Sequence, residues 1–171
     1  MNLIVKSSYD DIDSIFSLYD DAVAYQKTKF NKQWLPFDRV MVEKEIMEGR
    51  QWKILEDGKI ASVFAVAYAD PYIWAEKNAD PAIYLHRIVT HSAFRGKGYM
   101  MKIIEWAKKH AAQNKKQFIR MDTWGDNEEL INYYVNCGFK FLGIITPTAT
   151  QELPSHYSSI NLGLLEIDLK K

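Results

Sequence analysis

The residues with the clearest chemical potential form the turn Arg95-Gly96-Lys97-Gly98. A predicted strand ends shortly before this turn at Thr90, and a predicted helix begins directly after it. The first turn of a helix offers backbone N–H groups without intrahelical partners, and the helix dipole adds partial positive charge there. Glycines let an anion approach the backbone closely, and the two cationic side chains add attraction. The pattern predicts an anion site suited to a pyrophosphate.

A simpler interpretation of the same turn is a flexible connection between a strand and a helix, since short glycine motifs often arise in that way. The turn also departs from two common phosphate motifs. It lacks the Gly-Lys-Ser/Thr ending of a P-loop and the G-x-G-x-x-G spacing of a dinucleotide fold. A nucleotide-binding domain that holds ATP is therefore disfavoured, while the turn alone leaves the choice between an anion site and a connection open.

A second segment, residues 126–139, combines helix signals with polar side chains suited to chemistry. Asp126 has the position of a helix cap, and Gly138 stands where the helix would end. Asn127 lies at the start of this helix and Tyr134 lies near its end, seven residues later. The segment therefore predicts a capped helix that presents an amide at one end and a phenol at the other.

Together the two segments resemble the motifs of the GCN5-related N-acetyltransferase (GNAT) superfamily. The phosphate motif of that family is Q/R-x-x-G-x-G/A, and the matching residues here are Arg95, Gly98 and Met100. Its next motif is an Asn, a Tyr seven residues later and then Gly-Phe, and the matching residues here are Asn127, Tyr134, Gly138 and Phe139. The order of predicted elements also resembles that family over nearly the whole chain.

The resemblance implies an enzyme that transfers an acetyl group from acetyl-CoA to a primary amine by direct attack in a ternary complex. The pantetheine arm would lie along the predicted strand at Ile88, Val89 and Thr90, and Asn127 would help to hold the cofactor. The residues implied at the pyrophosphate are Arg95, Gly96, Lys97, Gly98, Tyr99, Met100 and Met101. Met100 replaces a small residue of the family motif and would crowd the helix start, although its backbone N–H still suits a phosphate. A CoA-binding sensor or interaction module without catalysis is the alternative function.

Three side chains are candidates for proton transfer. Tyr134 would stand near the sulfur of the cofactor and protonate the leaving thiolate, because an unperturbed Tyr keeps its proton up to about pH 10. Asp122 is the first candidate base, since some family members carry a catalytic Glu at that place, but it could equally form a turn. His86 is the second, with an unperturbed pKa of about 6.5, although a strand histidine is often only packed. A water chain would replace either base, and a backbone N–H near Val89 would stabilise the oxyanion.

Several aromatic residues lie in predicted loops, where they would either line the acceptor pocket or pack the loops onto the core. They are Trp34, Trp74 and Trp124, with His156 and Tyr157 in a later loop. Cys137 precedes a helix-ending glycine and has no histidine nearby to activate it, so covalent catalysis is disfavoured.

The elements that must position these residues follow from the hydrophobic periodicity. Helices are predicted to begin near Ser8, Asp38, Met100 and Asp126, and strands are predicted at 3–6, 51–56, 60–68, 82–90, 118–123, 139–145 and 160–169. Asp57-Gly58 is predicted to form a hairpin turn, and residues 70–81 are predicted to form a loop. The third helix is predicted to have an apolar face of Met100, Ile103, Ile104, Ala107 and Ala111. The order of the helices and strands predicts an α/β (α+β) fold with a mixed sheet. The resemblance implies a mostly antiparallel sheet of about seven strands and about four helices, with a splay between the strands near 83–90 and 118–123.

Length and charge narrow the class of protein. The 171 residues suit one domain spanning 1–171, and 22 Lys plus Arg balance 22 Asp plus Glu. A partner such as nucleic acid or a membrane surface would usually require a more basic chain, so we expect a small-molecule or peptide amine as acceptor. The single cysteine argues against an internal disulfide or a Cys-based zinc site, and no metal site is predicted. The chain start has no signal-peptide layout, so we expect a cytoplasmic protein. Members of the resembled family are often dimers, which leaves a homodimer open.

Overall fold

The computed structural model of the protein describes residues 2–29, 34–147 and 161–170. The α-helices in these ranges are α1 (Ile12–Lys29), α2 (Arg39–Met47), α3 (Pro71–Trp74), α4 (Tyr99–Gln113) and α5 (Glu128–Asn136). The strands are β1 (Asn2–Lys6), β2 (Gln51–Glu56), β3 (Lys59–Ala67), β4 (Ala82–Thr90), β5 (Phe118–Trp124), β6 (Lys140–Ile145) and β7 (Leu162–Asp168). No helix of the described ranges is long and apolar enough to cross a membrane.

The seven strands form one sheet in the order β1-β2-β3-β4-β5-β7-β6. Strands β1 and β2, β5 and β7, and β6 and β7 pair antiparallel, while β4 and β5 pair in parallel. The parallel pairing covers Ala82–Tyr84 with Phe118–Arg120, after which β4 continues to Thr90 and β5 to Trp124. The predicted mixed sheet and its strand number are confirmed.

The chain forms two compact units. The first consists of Met1–Val66 and Arg87–Tyr99, and the second consists of Ala67–His86 and Met100–Lys171. Strand β4 contributes residues to both units.

In the first unit, α1 and α2 begin where the sequence predicts. The Ser8 N–H donates to the Asp11 carboxylate at 2.7 Å, which holds a short 3₁₀ turn ahead of α1. The Asp38 carboxylate accepts the N–H of Val40 at 3.0 Å and caps α2. The apolar faces of the two helices bury a cluster of Ile12, Ile15, Leu18, Tyr19, Ala22, Val42, Ile46, Val63 and Val89.

The hairpin between β2 and β3 also follows the sequence prediction. Asp57 and Gly58 have φ values of 51° and 78°, the two positive values that a type I′ turn requires. Because such a turn matches the twist of the flanking strands, this dipeptide sets the strand pairing of the hairpin.

In the second unit, the predicted apolar face of α4 is buried, with Ile103, Ile104, Ala107 and Ala111 each at most 1% exposed. A further buried cluster consists of Ile73, Trp74, Ala82, Tyr84, Leu162 and Leu164. Beside it lies the guanidinium of Arg120, whose residue is 1% exposed. It lies 4.7 Å from the ring centre of Trp74 and 4.6 Å from that of Phe118.

Arg120 is held by several hydrogen-bond acceptors. It donates to the carboxylates of Asp80 and Glu166 at 2.7 and 2.8 Å, and to the backbone carbonyl of Lys77 at 2.7 Å. Burial works against the charged guanidinium, yet the hydrogen bonds to Asp80 and Glu166 outweigh it and raise the pKa of Arg120. The arginine therefore ties the segment after α3 to the strands β5 and β7.

The predicted loop 70–81 contains more structure than the sequence analysis assigned. It includes α3 and a 3₁₀ turn, Ala75–Ala79, and Pro71 occupies the first position of α3 after Asp70. The Asp-Pro pair was a signal for a helix start, because proline is preorganised at that position.

The placement of tryptophans in loops was wrong for two of the three. Trp74 lies in α3 and is 2% exposed, and Trp124 is the last residue of β5 and is 7% exposed. Trp34 is half-buried outside a helix or strand, and its ring centre lies 5.5 Å from that of Phe37. All three pack against the protein, whereas His156 and Tyr157 lie outside the described residues.

Candidate active site

The turn Arg95–Gly98 is exposed and leads directly into α4, as predicted. Gly96 and Gly98 have φ values of 80° and 75°, which L side chains rarely adopt. A Cβ built on either glycine would meet no described atom within 4 Å. The glycines are therefore required by the backbone conformation, and the space in front of the turn is open to a ligand.

The two cations of this turn lie against aromatic rings. The guanidinium carbon of Arg95 is 4.0 Å from the ring centre of Tyr25 in α1, and the Nζ of Lys97 is 5.1 Å from that of Phe94. A guanidinium that stacks by its face keeps its N–H edge for an anion. The first unit thus positions positive charge at the turn.

The first residues of α4 differ in what they offer a ligand. Tyr99 and Met100 are 3% and 7% exposed, whereas Met101 is 48% exposed. Because the Met100 side chain packs into the protein interior, it does not stand exposed at the helix start, where crowding was expected. A ligand at this point would meet the backbone N–H of Met100.

The predicted cofactor strand carries an irregularity at Arg87, whose φ is 49°. The Arg87 guanidinium pairs with the carboxylate of the buried Glu45 and donates to the Tyr19 hydroxyl at 3.3 Å. Burial works against its charge, but Tyr19 and Glu45 raise the pKa of Arg87 above its ordinary value. The strained residue is therefore locked in place within the first unit.

The three residues after Arg87 in β4 differ in burial. Ile88 and Thr90 are half-buried, and Val89 is 5% exposed within the cluster formed with α1 and α2. The Val89 carbonyl accepts a hydrogen bond from the Ser62 hydroxyl at 2.8 Å. Any contact that Val89 makes with a ligand would come from its backbone rather than its side chain.

In the second unit, Tyr134 is half-buried on α5. Its ring packs edge-to-face against Phe139, with 6.3 Å between centres, and its centre is 5.3 Å from that of Tyr133. Burial raises the pKa of Tyr134 well above the usual range, and Tyr133, Cys137 and Asp122 raise it further. The phenol is therefore a proton donor at neutral pH.

Asn127, rather than Asp126, caps α5, so the predicted cap was wrong by one residue. The Asn127 Oδ1 accepts the N–H of Leu130 at 3.0 Å. Since this oxygen serves the helix, the side-chain NH₂ is the group that Asn127 would direct to a ligand.

The two candidate bases lie in one cluster with a third residue. Asp122 lies inside β5, paired in register with Leu164, rather than in a turn. The His86 Nε2 lies 3.3 Å from the Oδ2 of Asp70. One polar atom from each of Asp70, His86 and Asp122 lies within 4.8 Å of the other two. Asp70 was missed by the sequence analysis, and the Asp-Pro helix start was the signal that could have located it.

Cys137 is half-buried, and burial raises the pKa of its thiol despite an opposing hydrogen bond with Tyr133. The thiol form therefore predominates at neutral pH, which agrees with the expectation that this residue is not a nucleophile.

The mixed seven-stranded sheet with its helices is the fold of GNAT acetyltransferases. The family model described as Acetyltransferase (GNAT) family matches residues 13–139. The chain belongs to that family.

Known proteins extend this likeness over most of the chain. The uncharacterized N-acetyltransferase YesJ of Bacillus subtilis (strain 168) is 25% identical over 143 residues, which cover 79% of each chain. A GNAT family acetyltransferase structure from Listeria monocytogenes 4b F2365 has a TM-score of 0.78 at 25% identity, covering 98% of this chain and 95% of its own. The structure of yncA from Salmonella typhimurium was solved with its cofactor acetyl-CoA. It has a TM-score of 0.69, and the match covers 100% of this chain and 95% of the yncA chain. Because its sequence is only 14% identical to this chain, the likeness to yncA shows a shared fold and nothing more.

Proposed function

We propose that the protein transfers the acetyl group of acetyl-CoA to a primary amine of a small molecule or peptide, by direct attack in a ternary complex. The observation that carries this proposal is the grouping of proton donors and acceptors in the second unit. Tyr134 is a phenol whose pKa is raised by burial and, in part, by the charge of Asp122. Asp122 in turn lies in one cluster with His86. Acyl transfer from a thioester to an amine needs both a proton donor and a proton acceptor.

The turn Arg95–Gly98 supports acetyl-CoA as the donor. Its positive φ values at Gly96 and Gly98 and its exposure give backbone N–H groups access to a pyrophosphate. Arg95 and Lys97 would add charge-assisted contacts, and Met101 is exposed on the same helix start. Family membership and the acetyl-CoA held by the similar yncA structure support the same donor.

The strand pairing supports a place for the pantetheine arm. The described pairing of β4 with β5 covers Ala82–Tyr84, and Ile88–Thr90 lie further along the same strand. The amides of the pantetheine arm can form hydrogen bonds to such a strand. A backbone N–H near Val89 would then stabilise the oxyanion that forms on the acetyl carbonyl.

In the proposed reaction, acetyl-CoA supplies an activated carbonyl. His86 or Asp122 accepts the proton of the attacking amine as the C–N bond forms. Tyr134 donates its proton to the sulfur as the C–S bond breaks, so the products are the amide and the free thiol. Proton exchange with water then restores the phenol and the base.

Calorimetric titration with acetyl-CoA and with desulfo-CoA tests donor binding, and release of free thiol in the presence of varied amines tests transfer. We expect both ligands to bind and thiol release to require an amine. Binding without transfer to any amine and without hydrolysis would instead favour the CoA-binding sensor. Failure of both ligands to bind would contradict the proposal.

A further inference from the structure

Asp70 places a buried carboxylate beside the ring of His86. The residue is 8% exposed, and its Oδ2 lies 3.3 Å from the His86 Nε2. That oxygen accepts no hydrogen bond of normal geometry within the described ranges. A buried carboxylate is costly unless it is compensated, so a positive charge on the neighbouring ring would be strongly favoured.

The segment that carries Asp70 is rigidly held. The Asp70 N–H donates to the Oδ1 of Asn78 at 2.6 Å, and its carbonyl accepts the N–H of Trp74 at 2.9 Å. Arg120 binds the same segment through the carbonyl of Lys77 and the carboxylate of Asp80. The Asp70 carboxylate is therefore preorganised, and it need not move when the His86 ring gains a charge.

The charges around His86 would also stabilise the ring once it has accepted a proton. Asp70 faces it from the segment before α3, and Asp122 lies within the same cluster from β5. Tyr84, on the same strand, stays neutral because burial raises its pKa, with Asp70 and Asp80 adding to the rise. The nearby cation Arg120 is engaged with Asp80 and Glu166.

From this arrangement we infer that His86 is the proton acceptor of the reaction and that Asp70 is its positioning residue, an inference that rests on the proposed function. As an N–H bond of the amine breaks, an N–H bond forms on the ring, and the resulting imidazolium lies beside a carboxylate already in place. Such preorganised charge stabilises a developing charge without reorganisation. Asp122 has a different role, because its charge contributes to the raised pKa that keeps Tyr134 protonated.

Kinetics of Asp70→Asn, His86→Gln, Asp122→Asn and the Asp70→Asn/His86→Gln double variant test this assignment. We expect His86→Gln to lower kcat by about 10²- to 10⁴-fold and to erase the acidic limb of the pH–rate profile. Asp70→Asn should lower kcat by about tenfold or more with KM unchanged, because the imidazolium that forms would lose its charged partner. The double variant should be no slower than His86→Gln alone, since the two residues act as one unit. Asp70→Glu should recover part of the lost turnover, because it restores the charge.

An NMR titration of the four histidine rings provides a readout independent of activity, with the His86 signal assigned from its loss in His86→Gln. The His86 ring should titrate about one pH unit lower in Asp70→Asn than in the wild type, because an opposite charge nearby favours the protonated form. Glu76→Gln, which changes an exposed carboxylate on the same segment, is the matched control and should leave that titration unchanged.

Three results would overturn the assignment: unchanged kcat in Asp70→Asn, an unchanged His86 titration in that variant, or loss of the acidic limb in Asp122→Asn instead of His86→Gln. Inactivation of the wild type by a chelator, reversed by Zn²⁺, would also overturn it. If the wild type transfers no acetyl group but the titration shifts as expected, the proposed function fails while the pairing of Asp70 with His86 stands.

Discussion

The guanidinium carbon of Arg95 lies 4.0 Å from the centre of the Tyr25 ring. The contact joins α1 to the exposed glycine turn through the side chain of Arg95, for which the sequence predicts only a phosphate contact. Cation–π contacts of this kind contribute about 0.5–1 kcal/mol at exposed sites. The helix therefore helps to position the arginine at the turn.

Replacing Arg95 by Gln should weaken acetyl-CoA binding by about tenfold, because a hydrogen bond to a charged group contributes about 1.5–3 kcal/mol. The salt dependence of binding should also decrease, since one cation is lost. Calorimetry at two salt concentrations measures both effects. Arg39→Gln is the matched control, because Arg39 is an exposed arginine paired with Asp13 and Glu43. Equal weakening in both variants would show that Arg95 has no specific role.

A pair of glycine variants tests the turn itself. Gly98 and Gly58 have φ values of 75° and 78°, and a Cβ on either would meet no described atom within 4 Å. Each Ala variant should therefore lose a similar free energy of unfolding, about 1–2 kcal/mol, from the left-handed conformation. Only Gly98→Ala should also weaken acetyl-CoA binding, because its backbone N–H groups would move. If the two variants bind acetyl-CoA equally well, the turn is a connection and not an anion site.

Tyr134→Phe should lower kcat by about 10²- to 10⁴-fold if the phenol protonates the leaving thiolate. Tyr133→Phe is the control, since Tyr133 is the adjacent tyrosine and is 49% exposed. The pKa of Tyr134 is raised by burial and its neighbours, so its proton is present below the ordinary value of about 10 and is lost only above it. The wild-type rate should therefore show no decline from this group up to about pH 10. An alkaline limb near neutral pH that disappears in Tyr134→Phe would contradict this role.

Arg120→Ala should lower the free energy of unfolding by about 3–5 kcal/mol, because it leaves partly buried carboxylates without their cation. Turnover should fall as well, since Arg120 holds the segment that carries Asp70. Urea unfolding and kcat measure the two effects. Arg39→Ala, which breaks an exposed ion pair, should cost at most about 1 kcal/mol. A small loss for Arg120→Ala would mean that the segment is held by other contacts.

The elements were predictable because their signals are local. The helix start at Ser8, the Asp57-Gly58 turn and the buried face of α4 each depend on residues within a few positions of one another. The predicted loop 70–81 failed for the opposite reason. Its helix α3 has only four residues, too few to show a periodicity, and the Arg120 contacts help to hold the segment that follows it.

The candidate site likewise has features that follow from the local sequence and features that depend on tertiary contacts. The glycine turn, Tyr134 and the two candidate bases could be proposed from residue types and spacing. The cap at Asn127, the burial of Met100 and the ring beneath Arg95 depend on which side chains meet in three dimensions. Spacing along the chain carries no information on those contacts.

By itself, the amino-acid sequence determined the order of the strands and of the helices α1, α2, α4 and α5, the glycine turn at the start of α4 and the presence of a phenol on α5, because short-range periodicity and backbone preference decide these features. Only the tertiary structure decided that Asp70 lies beside His86, and that the charge of Asp122 contributes to the raised pKa of Tyr134. These pairs join residues that are 16 and 12 positions apart in the chain. Their proximity results from sheet pairing and the burial of side chains around it, which no local pattern specifies.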